Sequence, residues 1–166
     1  ETVALNGLAT VTLTNAGLGA RDGTGSLCVS ASGEAHGGAS RFVEQEIADE
    51  VYETVPIVAI DDVIPQTRNV SVLQLDVEEY EQQALEGALG LLKRCLPLII
   101  LETLPRSAEW YERNILSLGY RDIGPVHHNR VLAPSDVEPG MVEMLTAMNQ
   151  KRDVLRAQRR AALPST

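Results

Sequence analysis

Aromatic side chains are scarce in this 166-residue chain, which has one Phe, one Trp and four Tyr. Stacking platforms for single-stranded nucleic acid are therefore essentially absent. The core has to come from Val, Leu, Ile and Ala, the composition of a parallel sheet covered on both faces. Cysteine is just as sparse: Cys28 and Cys95 are far apart, with no CxxC pair and no Cys/His metal spacing. A disulfide framework is excluded, and free thiols in a reducing, cytoplasmic setting are expected. No apolar run approaches the ~20 residues of a membrane-spanning helix, and the first residues do not read as a secretory leader.

Positive charge is in deficit as well. The net charge is −9, which opposes non-specific binding to nucleic acid or to an anionic bilayer. The deficit is uneven. Residues 151–166 carry five basic side chains against Asp153, a balance of +4, which leaves −13 on the rest. At this length one domain with a real core is expected.

What the chain does have is a stretch, Val70 to Thr103, with two short apolar runs that each close on a carboxylate. Val70 to Leu75 is rich in branched aliphatics, short enough for a buried strand, and stops at Asp76. From Tyr80, apolar residues at Tyr80, Ala84, Leu85, Ala88, Leu91 and Leu92 recur at helical spacing, with Glu81, Gln82, Gln83 and Glu86 on the other side. Acidic residues crowd the start of this helix, and Lys93 and Arg94 close it. Pro97 can begin a strand, Leu98 to Leu101 reads as that strand, and it stops at Glu102. Parallel strands joined by a helix put their carboxyl ends on one edge, where open α/β sheets bind ligands. Asp76, Glu78 and Glu102 are therefore expected to line one cleft.

These residues also carry a family resemblance. Leu75-Asp76-Val77-Glu78-Glu79-Tyr80-Glu81, then Leu85-Glu86-Gly87-Ala88, then Pro97 to Glu102, closely resembles the FkbM-type S-adenosylmethionine-dependent methyltransferases. Val55 to Val63 resembles that family's strand and Asp-Asp turn, Leu118-Gly119-Tyr120 a further landmark, and the likeness spans most of residues 1–133. Two positions depart from the pattern: Gln74 stands for a lysine and Glu79 for a glycine. The resemblance implies a Rossmann-like class I sheet of order 3-2-1-4-5-7-6, S-adenosyl-L-methionine as cofactor, and methyl transfer to a hydroxyl of a small molecule or sugar. It implies Asp76 as base or orienter near the methyl group and Glu78 as a contact to substrate or to the cofactor's amino group. It further implies Glu102 as an orienter of substrate, and Ala16 and Gly17 beside the adenine.

Upstream, Glu1 to Leu5 reads as the last turn of a helix stopped by Asn6-Gly7. Thr10 to Asn15 reads as a strand, Asp22-Gly23 as a hairpin turn, and Ser26 to Ala31 as the returning strand. Gly17-Leu18-Gly19 is not a dinucleotide fingerprint, because Asp22 takes the third glycine position and a strand follows. Ser32 to Ser40 reads as a loop and Val51 to Ile60 as a long strand, with a helical turn from Asp61 to Pro65. Ser107 caps a helix with Ala108, Tyr111, Ile115 and Leu118 on its buried side, ended by Gly119. Tyr120 to Ile123 and Asn129 to Ala133 read as strands joined at Gly124-Pro125. Met141, Leu145, Met148 and Leu155 make an amphipathic helix that turns basic.

Against the family, residues 1–139 correspond to the C-terminal part of a methyltransferase domain lacking its first two strands, and residues 140–166 to a terminal helix and basic tail. Two unpaired edges would then favour a homo-oligomer, or a fold in which the 18–43 hairpin covers the gap. A catalytically inactive interaction or structural module is the alternative to the enzyme. No metal is expected. Asp61 and Asp62 read as helix caps rather than cation ligands with Asp76, His127-His128 would point to opposite faces of a strand, and His36 is expected in solvent.

Overall fold

The structure, a computed structural model, describes residues 2–31, 34–36, 40–136 and 139–161. Helix α1 (Thr2–Leu5) stops at Gly7, whose φ of +62° suits a glycine terminator. Residues 11–15 then run without assigned structure, with Leu13 exposed, and only β1 (Gly17–Leu18) forms a ladder. The strand expected at 10–15 is thus absent: no described strand lies alongside to take its backbone groups, and an unpaired strand does not hold.

The first sheet is built on β2 (Gly23–Ala31), which pairs antiparallel with β3 (Glu34–Ala35), β4 (Arg41–Val43) and β5 (Val51–Val58). Strand β1 pairs parallel with the end of β5. Asp22-Gly23 consequently makes no hairpin with residues 10–15. Instead the Asp22 carboxylate accepts the Ala59 N–H at 3.0 Å and ties the turn to the end of β5. Of the loop expected at 32–40, residues 32–33 and 37–39 lie outside the described residues, and Glu34–Ala35 form strand β3 instead, because their backbone pairs with Ser30 and Ala31 of β2.

Short helix α2 (Ile60–Val63) leads to the βαβ unit read from the sequence: β6 (Val72–Leu75), helices α3 (Glu81–Glu86) and α4 (Leu89–Cys95), and β7 (Leu98–Leu101). Strands β6 and β7 are parallel, Val72 opposite Leu98 and Leu75 opposite Leu101. The single helix expected here is broken at Gly87-Ala88. A Cβ on Gly87 would stand 2.0 Å from the Gly19 carbonyl oxygen, so the chain passes there only as glycine. The Gly87 carbonyl accepts the Asp61 N–H at 2.8 Å, and the Asp61 carboxylate accepts the Gly90 and Leu91 N–H groups at 2.7 Å each. Asp61 does cap a helix, but that helix is α4 rather than its own.

Helix α5 (Ala108–Asn114) starts at Ser107, whose hydroxyl accepts the Trp110 N–H at 3.2 Å, and a 3-10 turn at Leu116–Leu118 ends at Gly119 with φ of +89°. Ile115 is fully buried, whereas Ala108, expected on the same face, is exposed. Strands β8 (Tyr120–Val126) and β9 (Asn129–Pro134) complete a second sheet of order β6-β7-β9-β8, with β9 antiparallel to both neighbours. This order is that of the last four strands in 3-2-1-4-5-7-6. The reversal falls at His127-His128, with His127 at φ +58°, and not at Gly124-Pro125. Gly124, at φ +113°, serves a bulge inside β8. Helix α6 (Pro139–Ala161) is the last described element.

The core lies around the second sheet, where Leu75, Leu85, Leu91, Leu92, Ile99, Leu101, Ile115 and Leu132 are at most 2% exposed. Both cysteines are free, Cys28 buried and Cys95 half-buried. His36, expected in solvent, is half-buried, and its Nε2 has no hydrogen-bond partner among the described residues. No described helix is long and apolar enough to cross a membrane. Replacing Asp61 by Ala removes both bonds to the start of α4 and is expected to lower stability by about 1–2 kcal/mol, read as an earlier urea midpoint with unchanged slope.

Candidate active site

Leu75 and Leu101 are paired residues of the parallel ladder, so the residues that follow them leave the sheet side by side. This register brings Asp76, Glu78 and Glu102 together: one carboxylate oxygen from each lies within 4.8 Å of those from the other two. The three carboxylates expected on one edge do converge, and of them Asp76 and Glu78 line the adjoining cavity. Asp76 is exposed, and Glu78 and Glu102 are half-buried.

The turn between β6 and α3 has an unusual backbone. Glu78 and Glu79 have φ of +51° and +72°, a region that L side chains adopt at a cost. Position 79, where the family pattern has glycine, therefore needs glycine-like geometry in this chain too. The Glu79 side chain stays exposed and meets Arg106 at 2.5 Å. Such an open ion pair stabilises little.

The expected place of Glu81 is the polar side of its helix, and the structure corrects this. It is 1% exposed, one turn before the buried Leu85. Its carboxylate accepts the Thr103 hydroxyl at 2.5 Å and lies 3.4 Å from the Val77 N–H, so one buried group braces both carboxylate-bearing turns. The i, i+4 relation to Leu85 was the available signal, overshadowed by the acidic run before it.

A cavity of about 470 Å³ adjoins the carboxylates, and Ala16, Gly17, Asp76 and Glu78 all line it. Leu18, Leu27, Phe42, Val55 and Pro56 supply an apolar wall. A Cβ at position 17 would stand 2.3 Å from the Phe42 ring, so Gly17 is what lets that ring close the pocket. Phe42 also packs on Tyr80, ring centroids 5.1 Å apart, linking β4 to the turn that carries Glu78. Asp61 is committed to α4 and Asp62 lies in α2, so neither joins Asp76. His127 and His128 lie exposed in the β8–β9 turn. A second groove, about 520 Å³, runs between β1 and β6 and is lined by Thr12, Thr14, Leu18, Val58, Val72 and Leu73 among others. Val72, on the edge of β6 that no described strand pairs with, is 53% exposed.

Burial, then the charges of Glu78 and Asp76, then a hydrogen bond to Asp76 hold the Glu102 carboxyl above the ordinary carboxylate range. The cluster sets three oxygen donors at a spacing that suits a hard cation.

The chain matches the family model of the methyltransferase FkbM domain over residues 4–148. No curated protein and no solved structure matches it.

Two outcomes follow from this geometry. Replacing Glu79 by Gly is expected to raise stability by about 1 kcal/mol, because the left-handed strain exceeds what the exposed pair with Arg106 contributes. Glu102, whose folded pKa is raised, favours the fold most when protonated, so its contribution turns unfavourable as pH rises through that raised value. A Glu102→Gln variant should therefore melt above the wild type at pH 8, and the difference should shrink toward pH 4. A constant difference across that range would contradict burial and like charge as the cause of the raised pKa.

Proposed function

The chain belongs to the FkbM methyltransferase family, and from that premise we propose that it is part of an S-adenosylmethionine-dependent O-methyltransferase acting on a hydroxyl of a small molecule or sugar. The observation that carries the reading is the cavity of about 470 Å³ that an apolar wall and two of the three clustered carboxylates line together. Its size is that of a small-molecule site. Leu18, Leu27, Phe42, Val55 and Pro56 suit a flat, weakly polar ring, and Ala16 and Gly17 leave room for it. The carboxylates at the other end suit a cation.

The cofactor supplies a methyl group made electrophilic by a positively charged sulfur. This chain's residues would do the rest. Asp76 accepts the proton of the incoming hydroxyl and holds its oxygen in line, which lowers the barrier by positioning and by general-base assistance. Glu102, protonated more readily than an ordinary carboxyl, bonds Asp76 and orients the acceptor. Glu78, in its turn beside the cavity, would hold the cofactor's amino group. Glu81 keeps these groups in place through Thr103 and Val77.

The edge of β6 that no described strand covers, and the groove beside it, support a further part of the reading: that further strands would complete the methyltransferase sheet there, with residues 140–166 as an appendage. Extended groups along a free, apolar strand edge attract another strand.

S-adenosylhomocysteine, the reaction product, is the probe. Isothermal titration is expected to give micromolar binding that Asp76→Ala weakens about tenfold, a loss of about 1.4 kcal/mol. A folded chain with no heat of binding would favour a non-catalytic module, the reading that Glu79 in a glycine position also supports.

A further inference from the structure

Helix α6 has 23 residues, about 34 Å at the usual rise, and only part of its surface meets the body. Val142, Leu145 and Asn149 are partly buried, and the Asn149 amide donates to the Pro125 carbonyl of β8. These positions fall on one side of the helix. Met144, Met148 and Leu155 fall on another, about 120° round, and are 52%, 56% and 50% exposed. With Lys151 they follow the 4-3-4 spacing of a two-stranded helical seam. Nothing described in this chain covers that stripe.

We propose that the stripe is an interface with α6 of a second copy, the two helices running antiparallel. The choice of partner and direction comes from charge. Asp136, Glu138 and Glu143 are acidic at and just before the start of the helix, while Lys151, Arg152, Arg156, Arg159 and Arg160 near its end are opposed by Asp153 alone. Antiparallel pairing sets each basic end against an acidic start. Parallel pairing would set like against like, and a soluble anionic partner would have to compete with the acidic remainder of the chain itself. The spacing agrees: a two-fold axis midway between positions 149 and 150 puts Met144 against the partner's Leu155 and Met148 against the partner's Lys151, whose aliphatic stem packs while its ammonium reaches water. The contact is isologous and closes on itself, so it ends at a dimer.

A pair of helices of this length makes a small interface, and a weak dimer with a dissociation constant of about 10–100 µM is the expected scale. Sedimentation equilibrium of the full chain should show a monomer–dimer equilibrium that weakens as salt is raised. The Met144→Glu/Leu155→Glu double variant should be monomeric at 200 µM with its melting temperature unchanged, since neither side chain packs on the body. Orientation is read by cross-linking. A Met144→Cys/Leu155→Cys variant, with Cys95 replaced by Ser, should oxidise to a covalent dimer that neither single cysteine forms. A monomeric wild type, a dimer indifferent to the double Glu variant, or cross-linking of Met144→Cys alone would each overturn the proposal. So would a monomer that instead binds vesicles containing phosphatidylglycerol.

Discussion

No ladder of hydrogen bonds joins the two sheets among the described residues, and the contact between Asp61, Gly87 and Gly19 ties their backbones together. The Gly87 backbone passes against the Gly19 carbonyl where no side chain fits, its own carbonyl holds the Asp61 amide, and the Asp61 carboxylate holds the start of α4. Gly19 follows β1, Asp61 follows β5, and Gly87 lies between β6 and β7. This clasp ties the first sheet to the second, beside the packing of Leu18 against the core. The candidate site depends on it directly: Ala16 and Gly17 come from the first sheet, Asp76 and Glu78 from the second, and the cavity exists only while the two keep this distance. Packing of Phe42 on Tyr80 closes the same joint from the far side of the pocket.

The site offsets some of the stability that the clasp and core provide. Three carboxylates converge within 4.8 Å, Glu102 is held above its ordinary range, and two successive glutamates take a left-handed backbone. Each feature is unfavourable for folding, and all three sit at the carboxyl ends of parallel strands, where α/β sheets bind ligands. The buried Glu81 makes the arrangement tolerable by bonding across both turns. Strain and like charge concentrated at one place, beside a cavity of ligand size, are what distinguish this edge from the rest of the surface.

The βαβ unit is legible in the sequence because each signal there is local. Strand length, helical spacing from Tyr80 and a carboxylate at the end of each strand suffice to place Asp76, Glu78 and Glu102 on one edge. Other features depend on partners far along the chain and are not legible. Thr12 and Thr14 have the composition of a strand but no described strand beside them to pair with. The break at Gly87 comes from Gly19, nearly seventy residues earlier. Gly124-Pro125 has turn composition, yet the ladder with β9 continues past it and uses the glycine for a bulge, leaving the reversal to His127. Glu81 is hidden by chemistry: a carboxylate on a helix reads as solvent-facing unless the hydroxyl that it receives is known.

Whether the two sheets form one ligand site, with Ala16 and Gly17 on one side and Asp76 to Glu78 on the other, is tested most directly by backbone amide spectra of isotopically labelled chain titrated with S-adenosylhomocysteine. Resonances of Ala16, Gly17, Phe42, Val77 and Glu78 are expected to move together along one saturating curve, while those of α6 stay still. Movement confined to one sheet, or resonances elsewhere shifting while these remain fixed, would contradict a site shared between the sheets.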